Sequence, residues 1–174
     1  MKTITINAYE VNELSPKAFG NAHQEWLQQF DWYDYDCYFD DIKRLLIIFD
    51  LGILDYSLNV DYAHHSYVKY WFDSDDAITK IDGIRLWKLL QNQFPSLCED
   101  MSDSMNVSYY LKPLAEFLAK PSKYTTIYDI INDCLSIIFK SIVADYEYQC
   151  GEDNFIELCS IQEMLFDEDG KRIL

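Results

Sequence analysis

The sequence predicts an α+β protein, with a small antiparallel sheet packed against several helices. Residues 54–62 alternate strictly, with Leu54, Tyr56, Leu58, Val60 and Tyr62 on one side and Asp55, Ser57, Asn59 and Asp61 on the other. That is the period of a half-buried strand. Ser15-Pro16 sets an N-cap serine ahead of a proline at the first helical position, a strong start signal. Farther on, Ile127, Ile130, Ile131, Leu135, Ile138, Phe139, Ile142 and Val143 recur at helical spacing. The chain has 174 residues, of which 49% are hydrophobic and 16% aromatic. That suffices for a sizeable core, and the span 1–174 reads as one domain.

The elements follow in order. Residues 2–10 alternate Ile4, Ile6 and Ala8 against Thr3, Thr5 and Asn7, an N-terminal strand. The helix after Ser15 carries Ala18, Ala22, Trp26 and Phe30. Between residues 31 and 50, Trp32, Tyr35, Phe39, Ile42, Leu46 and Phe49 share an arc roughly 120° wide on a helical wheel. An amphipathic helix is therefore predicted over the second half of that stretch. Asp31, Asp34 and Asp41 border the arc on one side, Asp36 and Asp40 on the other. The strand at 54–62 turns at Ala63-His64-His65 and returns over 66–72, giving a β-hairpin closed by Asp73-Ser74-Asp75-Asp76.

Further helices are predicted over 84–94 and 107–119, separated by a polar loop at 96–106. Thr125 or Thr126 caps a long helix through Val143. Residues 155–165 form a last short helix or strand. Asp167-Glu168-Asp169-Gly170 makes a turn, and Arg172-Ile173-Leu174 adds an edge strand.

Charge narrows the function. Lysine and arginine number 14 and aspartate and glutamate 30, a net charge of −16. A nucleic-acid binder needs a cationic footprint, so direct contact with phosphates is not expected. No apolar run is long enough to span a bilayer and the start has no apolar signal-peptide core, so a cytoplasmic protein is expected. Five cysteines (Cys37, Cys98, Cys134, Cys150 and Cys159) include no C-x-x-C pair, which argues against disulfides and zinc and for reduced core residues. No G-x-S-x-G, H-E-x-x-H or phosphate-loop motif occurs. His64-His65 reads as a surface turn, and Asp73 to Asp76 lack the glycine and glutamate of a calcium loop. No catalytic residue, metal ligand or cofactor is assigned.

The segment from Asp31 to Asp76 holds 11 acids, all aspartate, against Lys43, Arg44 and Lys69, a balance of −8. Half of the net charge thus sits in about a quarter of the chain, interleaved with tyrosine and tryptophan. Same-face strand residues repeat every 6.6 Å or so, and duplex DNA carries one charge per about 1.7 Å of axis. Rows of carboxylates on a helix and a hairpin can therefore imitate a phosphate backbone. The contact charges predicted are Asp34, Asp36, Asp40, Asp41, Asp55 and Asp61, with Tyr33, Tyr35 and Trp71 as rigid anchors. Reversing Asp36, Asp40 and Asp41 to lysine is expected to abolish binding and spare the fold.

Ile4-Thr5-Ile6-Asn7-Ala8-Tyr9-Glu10, then Glu13-Leu14-Ser15 and Lys17-Ala18, and the closing Phe166-Asp167-Glu168-Asp169-Gly170-Lys171-Arg172-Ile173 resemble the two ends of a family of small acidic phage and prophage proteins. The likeness covers about a sixth of the chain. Its central glycine- and tryptophan-rich segment is replaced here by residues 55–72. The resemblance implies an inhibitor of a bacterial defence system, of the anti-CRISPR kind, or an antitoxin-like protein. No catalytic residue carries over.

The expectation is therefore a phage-encoded inhibitor, a DNA mimic that binds a basic host protein such as a CRISPR-Cas or other defence nuclease subunit in the bacterial cytoplasm. Neither nucleic acid nor membrane is a direct partner, and a homodimer is left open. The alternatives are an antitoxin-like protein neutralising a basic toxin and a hydrolase using a dispersed acid pair or a cysteine.

Overall fold

The computed structural model describes residues 7–32, 35–72, 78–93 and 108–173. The fold is α+β, as the sequence predicts. Among the described residues it has six α-helices and one two-stranded antiparallel sheet. The chain divides into two compact units, one formed by residues 1–33 and 144–174 and the other by residues 34–143.

The larger unit, 34–143, contains helix α2 (Tyr35–Ile48), strands β1 (Leu51–Ser57) and β2 (Tyr67–Phe72), and helices α3 (Gly83–Gln93) and α4 (Lys112–Ala119). It also holds most of the long helix α5 (Ile127–Cys150). Ile42, Leu45, Leu46, Leu86, Leu90, Leu114, Ile131 and Ile138 are fully buried and form its centre. In the predicted arc of α2, Ile42, Leu46 and Phe49 are buried and Phe39 half-buried, while Trp32 precedes the helix and belongs to the other unit.

Thr126 starts α5. Its hydroxyl accepts from the Asp129 amide at 3.2 Å, and the Asp129 carboxylate accepts from the Thr126 amide and hydroxyl, each at 2.8 Å. This reciprocal arrangement is a capping box.

The hairpin is shifted from its predicted position. Strand β1 begins at Leu51 and ends at Ser57, because side-chain bonds claim the backbone beyond it. Asn59 Oδ1 accepts from the amides of Asp61 (3.0 Å) and Tyr62 (2.7 Å), and Ser66 Oγ accepts from the Asn59 amide at 2.8 Å. Pairing runs Leu51 with Phe72, Gly52 with Trp71 and Ile53 with Tyr70, then slips at Leu54 to Asp55 with Lys69, Tyr56 with Val68 and Ser57 with Tyr67. This bulge returns Tyr56 to the face of Ile53 and leaves Leu54 exposed. The expected helix over 107–119 is a short 3-10 turn, Tyr109–Leu111, followed by α4 with Pro113 in its first turn. The loop at 96–106 and the aspartates at 73–76 lie outside the described residues.

The smaller unit carries helices α1 (Pro16–Gln29) and α6 (Glu152–Ile161) and the end of α5. Ser15 Oγ accepts from the Ala18 amide at 3.2 Å, the predicted cap. Val11, Ala22, Phe155, Cys159, Met164 and Phe166 form its core. His23 is half-buried beside this core: its Nε2 donates to the Cys150 carbonyl at 2.9 Å and its ring stacks on Trp26.

The N-terminal strand predicted over residues 2–10 appears only as a bridge between Tyr9 and Phe166, since residues 1–6 lie outside the described part. Phe166 bridges Arg172 in turn, where an edge strand was expected. Among the described residues, the Tyr9–Phe166 bridge lies in the smaller unit, and the sheet of the larger unit consists of β1 and β2.

Candidate interaction surface

The hairpin presents two unlike faces. Tyr56 stacks on Phe39 of α2 with ring centroids 4.4 Å apart, and Tyr70 and Phe72 both contact the Tyr128 ring of α5. Burial pushes the Tyr70 hydroxyl up to about 12. The opposite face carries Trp71, Lys69, Asp55 and Tyr67 and is turned outward: Trp71 is 42% and Tyr67 41% exposed. Trp71 covers Gly52, and any side chain at that position would meet the indole.

Asp55 is held by its cross-strand neighbours. Its carboxylate accepts from Lys69 Nζ at 3.0 Å and from Tyr67 Oη at 3.1 Å. The Lys69 ammonium, and then Tyr67, hold Asp55 below its ordinary value, while Asp55 raises Lys69. The loop between the strands adds Asp61, exposed, and Tyr62, 57% exposed and in ring contact with His64 and His65.

The structure divides the predicted contact residues. Asp55 and Trp71 share the outward face of the hairpin, and Asp61 sits on its loop. Asp36 and Asp40 are exposed on α2, where Asp40 pairs with Lys43 at 3.0 Å and that ammonium lies 4.3 Å from the Phe39 ring centre. Asp41 is less open than Asp36 and Asp40. Its side chain is only 20% exposed, 3.7 Å from Arg44 and 3.3 Å from the Tyr109 hydroxyl, which donates to it. Burial raises its carboxyl, against the lowering effect of Tyr109 and Arg44. Reversal of Asp41 would therefore disturb the packing of α2 as well as any contact. Tyr33 and Asp34 lie outside the described residues, as does the side chain of Tyr35.

The cysteines also separate. Cys134 and Cys159 are buried as expected, and burial pushes their thiols up to about 12 and about 11. Cys37 is exposed on α2 instead of lying in the core. Among the described residues, no three histidine, cysteine or acidic side chains come together as a metal site. No described helix is long and apolar enough to cross a membrane.

Sequence reasoning missed Tyr62 and Tyr67 as exposed aromatics, and Lys69 as the base that neutralises Asp55. The pairing of residues 55 and 69 depends on the bulge, which alternation alone does not reveal. By contrast, Asp40–Lys43 and Asp41–Arg44 are visible as helical i, i+3 pairs. Compared with protein-family models, curated proteins and solved structures, the chain matches none of them.

Proposed function

We propose that this chain is a non-catalytic inhibitor that docks on a basic, nucleic-acid-binding surface of a bacterial defence nuclease complex. The observation that supports it best is the outward hairpin face, where Trp71 and Tyr67 stand exposed beside Asp55, with Tyr62 and Asp61 on the adjoining loop. Exposed aromatic side chains are the residues that most often carry binding energy at an interface. Asp36, Asp40 and Asp61 add carboxylates, and the net charge of −16 draws a cationic partner. The phage-like termini favour a defence complex as that partner.

Lys69 works against such docking, because it carries positive charge into the same face and occupies Asp55. Replacing it by glutamine should therefore tighten binding rather than weaken it. The experiment titrates the chain into purified CRISPR-Cas nuclease complexes and measures target-DNA binding and cleavage at low and high salt. Inhibition should be lost at high salt, lost in the Asp36→Lys/Asp40→Lys/Asp61→Lys variant and strengthened by Lys69→Gln. Retained inhibition in the triple variant, or no complex that loses DNA binding, would overturn the proposal.

A further inference from the structure

The smaller unit contains a cavity of about 480 Å³ between the turn that precedes α1 and the C-terminal end of α6. Its walls are of two kinds. Val11, Cys159 and Met164 are buried and apolar, and the Cys159 thiol sits 3.8 Å from the Met164 sulfur. Glu10, Ser160 and Glu163 supply the polar part. The Ser160 hydroxyl donates to the Ile156 carbonyl at 2.9 Å, so towards a ligand it has only lone pairs to offer. Glu10 and Glu163 are exposed carboxylates, which accept and do not donate.

The polar side chains lining this cavity are therefore acceptors, and its remaining wall is apolar. A ligand that satisfies both parts carries hydrogen-bond donors and positive charge at one end and a methylene stem at the other.

We infer that this cavity binds an aliphatic cation, with a guanidinium or ammonium head between Glu10 and Glu163 and its stem on Val11 and Met164. Such a group reaches the cavity as a free small amine or as an arginine or lysine side chain of another protein. The inference is independent of the docking surface proposed above, and its test uses no partner protein.

The probes are agmatine, N-acetyl-argininamide and, lacking the charged head, 1-butanol, each titrated into the full chain and followed by amide NMR. Agmatine should shift the Val11, Ser160 and Met164 amides saturably, and 1-butanol should not. Glu10→Gln/Glu163→Gln should weaken agmatine about tenfold, whereas Glu152→Gln/Asp153→Asn, the same charge change away from the cavity, should leave it unchanged. Tighter binding of N-acetyl-argininamide identifies a protein side chain as the source, and tighter binding of agmatine a free amine. Absence of saturable shifts, or equal weakening by both double variants, would overturn the inference.

Discussion

Replacing Thr126 by alanine removes two of the three hydrogen bonds that start the longest helix. The lost contacts are the Asp129 amide donating to Oγ1 at 3.2 Å and the hydroxyl donating to the Asp129 carboxylate at 2.8 Å. The Thr126 amide keeps its own bond to that carboxylate. N-cap threonine to alanine typically costs about 1 kcal/mol, within a range of about 0.5–2. In urea unfolding at pH 7 that moves the midpoint down by roughly 0.3–0.5 M, for a slope of about 2–3 kcal/mol per molar.

The cost also depends on pH. The Thr126 amide and hydroxyl hold Asp129 below its ordinary 3.8. A depressed carboxyl stabilises the fold above its unfolded value and loses that contribution as pH falls through the folded one. The gap between wild type and Thr126→Ala should therefore narrow below pH 3.8, leaving the part that comes from the Asp129 amide. Thr125→Ala serves as the control and should stay within about 0.5 kcal/mol of wild type. Equal effects of the two substitutions, or a gap at pH 7 that persists unchanged in acid, would refute the capping argument.

Two further perturbations follow from named contacts. Gly170 has φ +88°, and a side chain there would run into the Ala18 carbonyl, so Gly170→Ala should cost about 2–3 kcal/mol in thermal or urea unfolding. Asn21→Ala, which loses only the bond to the Asp169 carbonyl, should cost less than half of that. Burial raises the Asp41 carboxyl, so its charged form penalises the fold at neutral pH, and the penalty disappears below the ordinary 3.8. Asp41→Asn should accordingly be more stable than wild type at pH 7 and lose that advantage in acid, as read from urea midpoints at several pH values.

The parts of the fold that depend on local chemistry were legible. Ser15-Pro16 and the threonine before Ile127 begin the predicted helices, and a hairpin forms, with a first strand that overlaps the alternating stretch only at residues 54–57. Its register was not legible, because Leu54 is an extra residue in β1 and Asn59 diverts the backbone into a loop. A one-residue slip exchanges the two faces of a strand. That slip is why Tyr56 packs on Phe39 while Asp55 meets Lys69. Of the expected contact residues, Asp36, Asp40, Asp55, Asp61 and Trp71 are exposed. Asp41 is not, since its position at the edge of the apolar arc brings it against Tyr109, 68 residues away.

The charge distribution shows the same limit on a larger scale. The window from 31 to 76 carries −8, but Lys43, Arg44 and Lys69 each lie within 4.0 Å of one of its aspartates. Four of its acids, Asp34, Asp73, Asp75 and Asp76, fall outside the described residues. The two chain ends, 1–33 and 144–174, hold 13 acids and 4 bases, or −9 over 64 residues, against 17 acids and 10 bases, or −7 over 110 residues, in the larger unit. No window along the sequence reports this, because the acids of residues 10–31 and 145–169 belong to one unit only after folding. Long-range attraction of a cationic partner depends on total charge, whereas tight docking depends on fixed aromatic contacts. The smaller unit therefore carries −9 of the net −16, and the exposed aromatics Tyr62, Tyr67 and Trp71 lie on the hairpin of the larger unit, so under the proposed function the first would draw a cationic partner and the second would hold it.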